Sequence, residues 1–241
     1  MKKARIWELD ALRGLCVLGM IAVHFLFDLT GFYGLLRWDF PPLLVFLADW
    51  GGVAFFLISG VCATLGSRCV RRGLIVLGCG LAVSAVTVAM YKLGIAYKSV
   101  IIYFGVLHCL GACMILWAVF RRLPTAALAI LAAAAVALGL WFQEITVESQ
   151  WLFWLGLLYK GFTTSDYFPL LPFLGFFLLG AVLGRILYKE KKSLLPGVNA
   201  AHPIPRFLQW LGRWSLPIYM LHQPIITGLI YLIVILQEVH P

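Results

Sequence analysis

Apart from Glu8 in its first turn, four ionisable side chains share one apolar segment near the start of the chain, between Trp7 and Tyr33. At about 100° per residue they fall in a helical stripe roughly 60° wide, while the other faces carry apolar side chains. Arg or Asp at the centre of a membrane helix costs about 2.5–3.5 kcal/mol. The segment therefore predicts a membrane helix with one face toward lipid and one toward a polar cavity. The four side chains are those of Asp10, Arg13, His24 and Asp28.

His24 and Asp28 carry the chemistry of this stripe. They are four residues apart, so a helix places the carboxylate one turn from the imidazole. Histidine takes up or releases a proton near neutral pH, and a neighbouring carboxylate fixes its tautomer. The pair predicts a base or nucleophile, His24, with Asp28 as the group that orients it. The structural alternative is that Arg13 only pairs with Asp10 and that His24 only hydrogen-bonds another helix.

The composition indicates an integral membrane protein. Of 241 residues, 63% are hydrophobic and 12% are charged, which is about half the charge of a soluble domain. Seven apolar runs are about 20 residues long, enough to span a bilayer. We therefore predict an all-α bundle of about seven transmembrane helices, in a single domain over 1–241. The runs are 12–32, 43–66, 73–92, 100–120, 124–142, 167–188 and 207–235.

Two segments depart from this pattern. The last run contains Pro217 and Pro224, which predicts a kink or a break within it. The aromatic segment 151–160 is too short to span, so we expect a short re-entrant or interfacial helix on the outer side.

The net charge of +9 reflects membrane topology. Fourteen basic residues cluster at alternate loops and four lie in the intervening loops. By the positive-inside rule this predicts a cytoplasmic N-terminus and, with seven spans, a C-terminus outside the plasma membrane. The basic excess therefore does not indicate nucleic acid. The fourteen are Lys2, Lys3, Arg5, Arg68, Arg71, Arg72, Arg121, Arg122, Arg185, Lys189, Lys191, Lys192, Arg206 and Arg213; the four are Arg37, Lys92, Lys98 and Lys160.

This topology predicts the depth of the other polar side chains. At about 1.5 Å per residue, three histidines on three helices fall near one middle layer. An inner layer holds arginines, which suit the phosphates of a cytoplasmic anionic donor. We predict Arg13, Arg68 and Arg185 as donor-binding residues, although arginines here would also anchor helix ends. The three histidines are His24, His108 and His222.

An outer polar layer suits the amine or hydroxyl of an acceptor. Asp166 and Tyr167 lie where the sixth run begins, and His222 and Gln223 lie on the seventh. We predict that these four residues line the acceptor half of the cavity, with His108 in support. The alternative is that Asp166 only starts a helix and that the other groups tie the last helix to the bundle.

The six cysteines add no site. All lie in apolar runs or at their cytoplasmic ends, where disulfides do not form. No cysteine and histidine set has the spacing of a zinc site, so we expect no bound metal.

Four blocks of sequence follow one another over nearly the whole chain: RIWELDALRGLCVLGMIAVHFLFDL, IYFGVLHCLGACM, DYFPLLPFLGFFLLGAVLGR and LGRWSLPIYMLHQPII. Arg13 and His24 in the first block are separated by ten residues, as in the Arg-x10-His motif of related membrane acyltransferases. Together the blocks resemble the bacterial branch of the heparan-α-glucosaminide N-acetyltransferase catalytic-domain family, within the wider transmembrane acyltransferase superfamily.

The resemblance implies an enzyme that takes an acyl group, commonly acetyl from acetyl-CoA, on the cytoplasmic side. It implies that the group passes to an amine or hydroxyl of a glycan-type acceptor on the far side. The family's first-helix histidine corresponds to His24, which would be the catalytic base or a transient acyl carrier. The expected partners are thus the lipid bilayer, acyl-CoA and a glycan.

Two other functions stay open. Intramembrane His and Asp also build proton relays, which a proton-coupled transporter would use. A non-catalytic membrane subunit is the other alternative. The inner basic layer favours the enzyme, because an anionic CoA donor needs it and a proton relay does not.

Overall fold

The computed structural model describes residues 5–32 and 40–239. Lys2, Lys3 and Arg37, which entered the topology count, lie outside the described residues, as does Tyr33. Helices make up most of the described part, which has only two short strands, so the predicted all-α class is confirmed. Its helices are α1 Trp7–Phe27, α2 Pro42–Leu65, α3 Cys69–Lys92, α4 Val106–Phe120, α5 Thr125–Gln143, α6 Leu170–Leu187, α7 Pro203–Arg213 and α8 Ser215–Val239.

Within the described residues, six helices are long and apolar enough to cross a membrane. They are α1, α2, α3, α5, α6 and α8. The shorter apolar helix α4 has 15 residues and corresponds to the fourth predicted run. Six of the seven predicted runs thus contain a helix of spanning length, and the fourth contains the shorter α4.

The last predicted run, 207–235, is two helices. Helix α7 ends at Arg213 and α8 begins at Ser215. Pro217 has no N–H to donate to the carbonyl of Arg213, four residues earlier, but it is tolerated in the first turn of a new helix. Pro217 therefore lies in the first turn of α8, directly after the break, whereas Pro224 lies inside α8.

The expected short helix at 151–160 does not form. This segment consists of turns and one strand, Leu158–Tyr159, which pairs in parallel with Thr146–Val147. Gly156 has a φ of 124°, a left-handed conformation that a right-handed helix cannot contain. The aromatic rings pack locally instead, as shown by Phe153 and Phe162, whose stacked centroids are 5.6 Å apart.

The chain forms two compact units, and α2 contributes to both. The first unit is Met1–Phe55 with Leu195–Pro241, and the second is Phe56–Leu194. In the first unit α1 packs closely along α7. A side-chain carbon at Gly14 would collide with the carbonyl of Leu208, and one at Gly212 would collide with the carbonyl of Asp10. Small residues at both positions let the two backbones touch.

The second unit contains most of the fully buried side chains. Helix α3 packs against α4, and α5 packs against α6. Phe56, Leu128 and Phe177 are fully buried, and so are Cys109 and Cys113. No disulfide joins any of the six cysteines, all of which lie in the described part of the chain.

Candidate functional site

A pair of histidines joins α1 to α8 in the first unit. The Nδ1 atom of His24 lies 2.7 Å from Nε2 of His222. The two rings are stacked with centroids 4.9 Å apart. Only 7% of His222 is exposed, so most of this contact is shielded from the surroundings.

The hydrogen bonds of His222 determine the tautomer of His24. The Nδ1 atom of His222 lies 2.6 Å from the carbonyl oxygen of Tyr219, which can only accept, so Nδ1 carries a proton and donates it. In neutral His222 the other nitrogen, Nε2, then accepts from Nδ1–H of His24. Neutral His24 keeps its lone pair on Nε2 as a result. The arrangement presents His24 Nε2 as a base.

Asp28 does not orient His24 as the spacing predicts. Its carboxylate accepts from Nε2 of Gln223, at 3.0 Å to Oδ2 and 3.3 Å to Oδ1. Asp28 is only 5% exposed and begins a π-helical turn that follows α1. The partner of His24 comes from α8, and spacing along α1 cannot reveal a contact with another helix.

Gln223 is left with one unsatisfied atom. Its amide nitrogen faces the carboxylate of Asp28, so its Oε1 points elsewhere. That oxygen is buried and has no hydrogen-bond partner among the described residues. A buried acceptor without a donor requires an explanation.

Arginines surround Asp10 at the start of α1. Arg5 and Arg13 each lie 3.8 Å from its carboxylate, and Arg213 of α7 lies 3.5 Å away. Three cations share one anion, so this cluster has a net charge of +2. The pairing of Arg13 with Asp10, which is the structural alternative to a donor-binding role, therefore exists, and positive charge remains in excess.

The second unit contains a cavity of about 420 Å³ with a basic lining. It lies where the α2–α3 and α4–α5 connections meet the end of α6. No carboxylate lines it within the described part of the chain, and Trp117 forms part of its wall. Such a cavity suits a polyanion. Its arginines are Arg68, Arg71, Arg121 and Arg185.

Arg185 is already engaged in holding this region together. It donates to the carbonyl of Leu123 at 2.7 Å and to that of Arg121 at 2.8 Å. Its guanidinium also lies 5.5 Å from the ring centroid of Trp117. Arg185 thus binds the carbonyls that follow α4, as a helix-end anchor does. Arg68, in contrast, has no carboxylate partner within the described residues.

His108 holds the start of α4 against α3. Ser84 donates its hydroxyl to the carbonyl of Ile102 at 2.6 Å, so it accepts from Nε2 of His108 at 3.2 Å. The backbone N–H of Gly105 donates to Nδ1 of His108 at 3.3 Å. Both ring nitrogens therefore have protein partners, which favours a structural role. The shared depth of His108 with the other histidines stays a prediction.

Asp166 and Tyr167 organise the segment before α6. Asp166 accepts from the backbone N–H of Val106, the first residue of α4, at 3.1 Å. The hydroxyl of Tyr167 donates to the carbonyl of Phe153 at 2.7 Å. Burial raises the pKa of the Tyr167 hydroxyl, so it remains a proton donor across the physiological range. Asp166 caps a helix, but that helix is α4 rather than the one it precedes.

The structure thus brings His24, Asp28, His222 and Gln223 together between α1 and α8. Tyr219, whose carbonyl binds His222, was not singled out as a functional residue from the sequence. Its position three residues before His222 was the available signal. Among the described residues, no group of three or more His, Cys, Asp or Glu side chains could hold a metal ion.

A family model matches residues 5–224, under the description heparan-alpha-glucosaminide N-acetyltransferase, catalytic. The matched range runs from the N-terminal arginine cluster through His24 to His222 and Gln223. No curated protein and no solved structure matches the chain.

Proposed function

Because the chain belongs to the heparan-alpha-glucosaminide N-acetyltransferase catalytic family and is a membrane acetyltransferase, we propose that it moves acetyl from cytoplasmic acetyl-CoA to an extracytoplasmic acceptor. The acceptor is the amine or hydroxyl of a glycan-type molecule. The observation that carries this proposal is the His24–His222 pair, which presents a basic nitrogen from within an apolar helix.

His24 acts through Nε2 in one of two ways. As a base, it takes a proton from the acceptor while the acceptor nitrogen or oxygen bonds to the acetyl carbonyl carbon. The carbon–sulfur bond breaks, and the thiolate of CoA receives the proton from His24. As an acyl carrier, Nε2 itself bonds to the carbonyl carbon while the carbon–sulfur bond breaks and CoA leaves as the thiolate. The acceptor nitrogen or oxygen then bonds to that carbon, the bond to Nε2 breaks, and the proton released by the acceptor goes to the CoA thiolate. Accumulation of acetyl on the protein without acceptor would distinguish the second route.

We propose donor-binding arginines separately within each unit. Arg13 lies 11 residues before His24, about 16 Å along the axis of α1, a span that the pantetheine arm of CoA can cover. Arg68 and Arg185 line the basic cavity, and the absence of carboxylates from its described lining supports phosphate binding there. Arg185 combines this role with its anchoring of α4. The same lining adds Arg71 and Arg121 to the donor-binding set.

The acceptor half is assigned to α8 and the segment before α6. Gln223 offers a free hydrogen-bond acceptor and His222 orients the base. Asp166 and Tyr167, in the second unit, are also proposed as acceptor residues, and their observed hydrogen bonds are with the backbone of Val106 and Phe153. We place the protein in the plasma membrane with a cytoplasmic N-terminus, because the basic residues follow the positive-inside rule.

Transfer of radiolabelled acetyl by the purified protein in lipid nanodiscs tests the proposal. Methyl α-glucosaminide, chosen because the family is named for α-glucosaminide acetylation, serves as the acceptor probe. We expect acetylated probe and released CoA in equal amounts. Failure to bind acetyl-CoA would rule out the enzyme, and proton-coupled uptake in proteoliposomes without acetyl transfer would support a transporter.

A further inference from the structure

The buried oxygen of Gln223 has a fixed orientation. Both oxygens of Asp28 lie within hydrogen-bond distance of Nε2 of Gln223. Rotating the amide by half a turn would place Oε1 against those oxygens and replace two attractive contacts with repulsion. The carboxylate therefore forces Oε1 to face away from Asp28.

This orientation leaves Oε1 in need of a donor. It is buried and unpartnered among the described residues, although Gln223 lies on a mostly apolar helix. A buried acceptor without a donor costs about 1–3 kcal/mol. An apolar side chain at this position would avoid that cost but would leave the buried carboxylate of Asp28 without this donor. The contact with Asp28 therefore accounts for the amide nitrogen, and a donor from outside the chain would satisfy Oε1.

The side chain that carries this oxygen belongs to the helix contact next to that of the predicted base. His24 and His222 form one contact between α1 and α8, and Asp28 and Gln223 form the next. On α1 these contacts are four residues apart, which corresponds to about 6 Å along the axis. On α8 the two side chains are consecutive. An acceptor whose reacting group meets His24 therefore extends its neighbouring groups toward Gln223.

We infer that Oε1 of Gln223 accepts a hydrogen bond from a second N–H or O–H of the acceptor substrate, next to the group that is acetylated. This inference rests on the proposed function. The favoured acceptor then carries a reacting group flanked by a second donor, as an amino sugar does. Asp28 is a positioning residue that keeps the amide in its productive orientation. A simple monoamine would leave Oε1 unsatisfied.

Two acceptor probes that differ in one hydroxyl test this inference. Methyl α-glucosaminide has a hydroxyl at carbon 3, beside its amine, and the 3-deoxy analogue lacks it. Wild-type protein should acetylate the first probe with a kcat/KM about tenfold higher, the effect of one buried hydrogen bond. Gln223→Leu should reduce this ratio to about one. Because the leucine also removes the donor to Asp28, the readout is the ratio between the probes and not the absolute rate with either. Asp28→Asn, which lets the amide rotate, should reduce the ratio in part.

The outcomes separate this inference from the proposed function. Equal acetylation of both probes by the wild type would overturn the role of Gln223 and leave the acetyltransferase intact. A Gln223→Leu protein that slows both probes equally would also overturn it, because the residue would then act only on folding or on the base. Acetylation of neither probe would overturn the proposed function and the inference with it.

Discussion

At the scale of single residues, the proposed chemistry depends on which ring nitrogen of His24 carries the proton. The carbonyl of Tyr219 fixes the proton of His222 on Nδ1, and the remaining nitrogen of His222 receives Nδ1–H of His24. Spacing within the sequence identified His24 but assigned its orientation to Asp28. A partner on the same helix can be predicted from spacing, whereas His222 is 198 residues away and only the fold brings it close.

Substitutions at His222 test this relay, by which we mean the two hydrogen bonds that run from His24 through His222 to the carbonyl of Tyr219. The amide oxygen of His222→Gln can occupy the place of Nε2 and accept from His24, whereas His222→Phe keeps the ring shape without an acceptor. We expect His222→Gln to retain much of the activity and His222→Phe to lose about 100-fold or more in kcat, the scale of general base catalysis. The KM for acetyl-CoA should change little in both His222 variants. A His222→Phe protein with wild-type kcat would exclude the relay.

The arginines of the basic cavity differ in their expected effects. Arg68→Gln removes a charge that no described carboxylate balances, so acetyl-CoA binding should weaken about tenfold or more. Arg185→Gln also breaks bonds to two carbonyls, so it should lower the melting temperature as well. Isothermal titration and thermal unfolding measure the two effects. Arg122→Gln, outside the described lining, is the control and should change neither.

At the scale of helices, apolar runs predicted the spans well because membrane helices need continuous apolar length. The ends of the helices depended on single residues, which a hydropathy average over a long run does not resolve. Pro217 lies just after the division of one predicted run into α7 and α8, and Gly156, with a φ of 124°, lies in the turns found where aromatic residues suggested a helix. The length of an apolar run therefore locates a helix, while its ends and interruptions depend on single residues such as Pro and Gly.

The close contact of α1 with α7 gives a prediction at this scale. Gly212→Ala places a methyl group against the carbonyl of Asp10, so we expect a loss of about 1–3 kcal/mol in stability, as overpacking typically costs. Gly228→Ala in α8 is the control, because nothing lies within 4 Å of its new carbon. Thermal unfolding in detergent compares the variants. Equal melting temperatures would show that α1 and α7 do not pack through these glycines.

At the scale of the whole molecule, the family match covers residues 5–224 and so includes both compact units. The family and the all-α class could be predicted because they depend on patterns repeated along the chain. The pairing of His24 with His222 could not, because it depends on how distant helices dock. The membrane orientation stays a prediction that rests on charge asymmetry.

Cysteine accessibility tests that orientation. Single cysteines replacing Lys3 and Glu238, in a background without the native cysteines, should react with an impermeant reagent from opposite sides of the membrane. The reason is that seven spans place the two ends in different compartments. Labelling of both positions from one side would contradict the odd number of spans.

The rate of acetyl transfer by His24→Ala tests most directly whether His24 carries out the chemistry. We expect this variant to fold and to bind acetyl-CoA like the wild type, with kcat and kcat/KM for transfer both reduced to background. His202→Ala, an exposed histidine before α7, is the matched control and should retain full activity. A folded His24→Ala protein that transfers acetyl at a near-normal rate would contradict the account and move the chemistry to another residue.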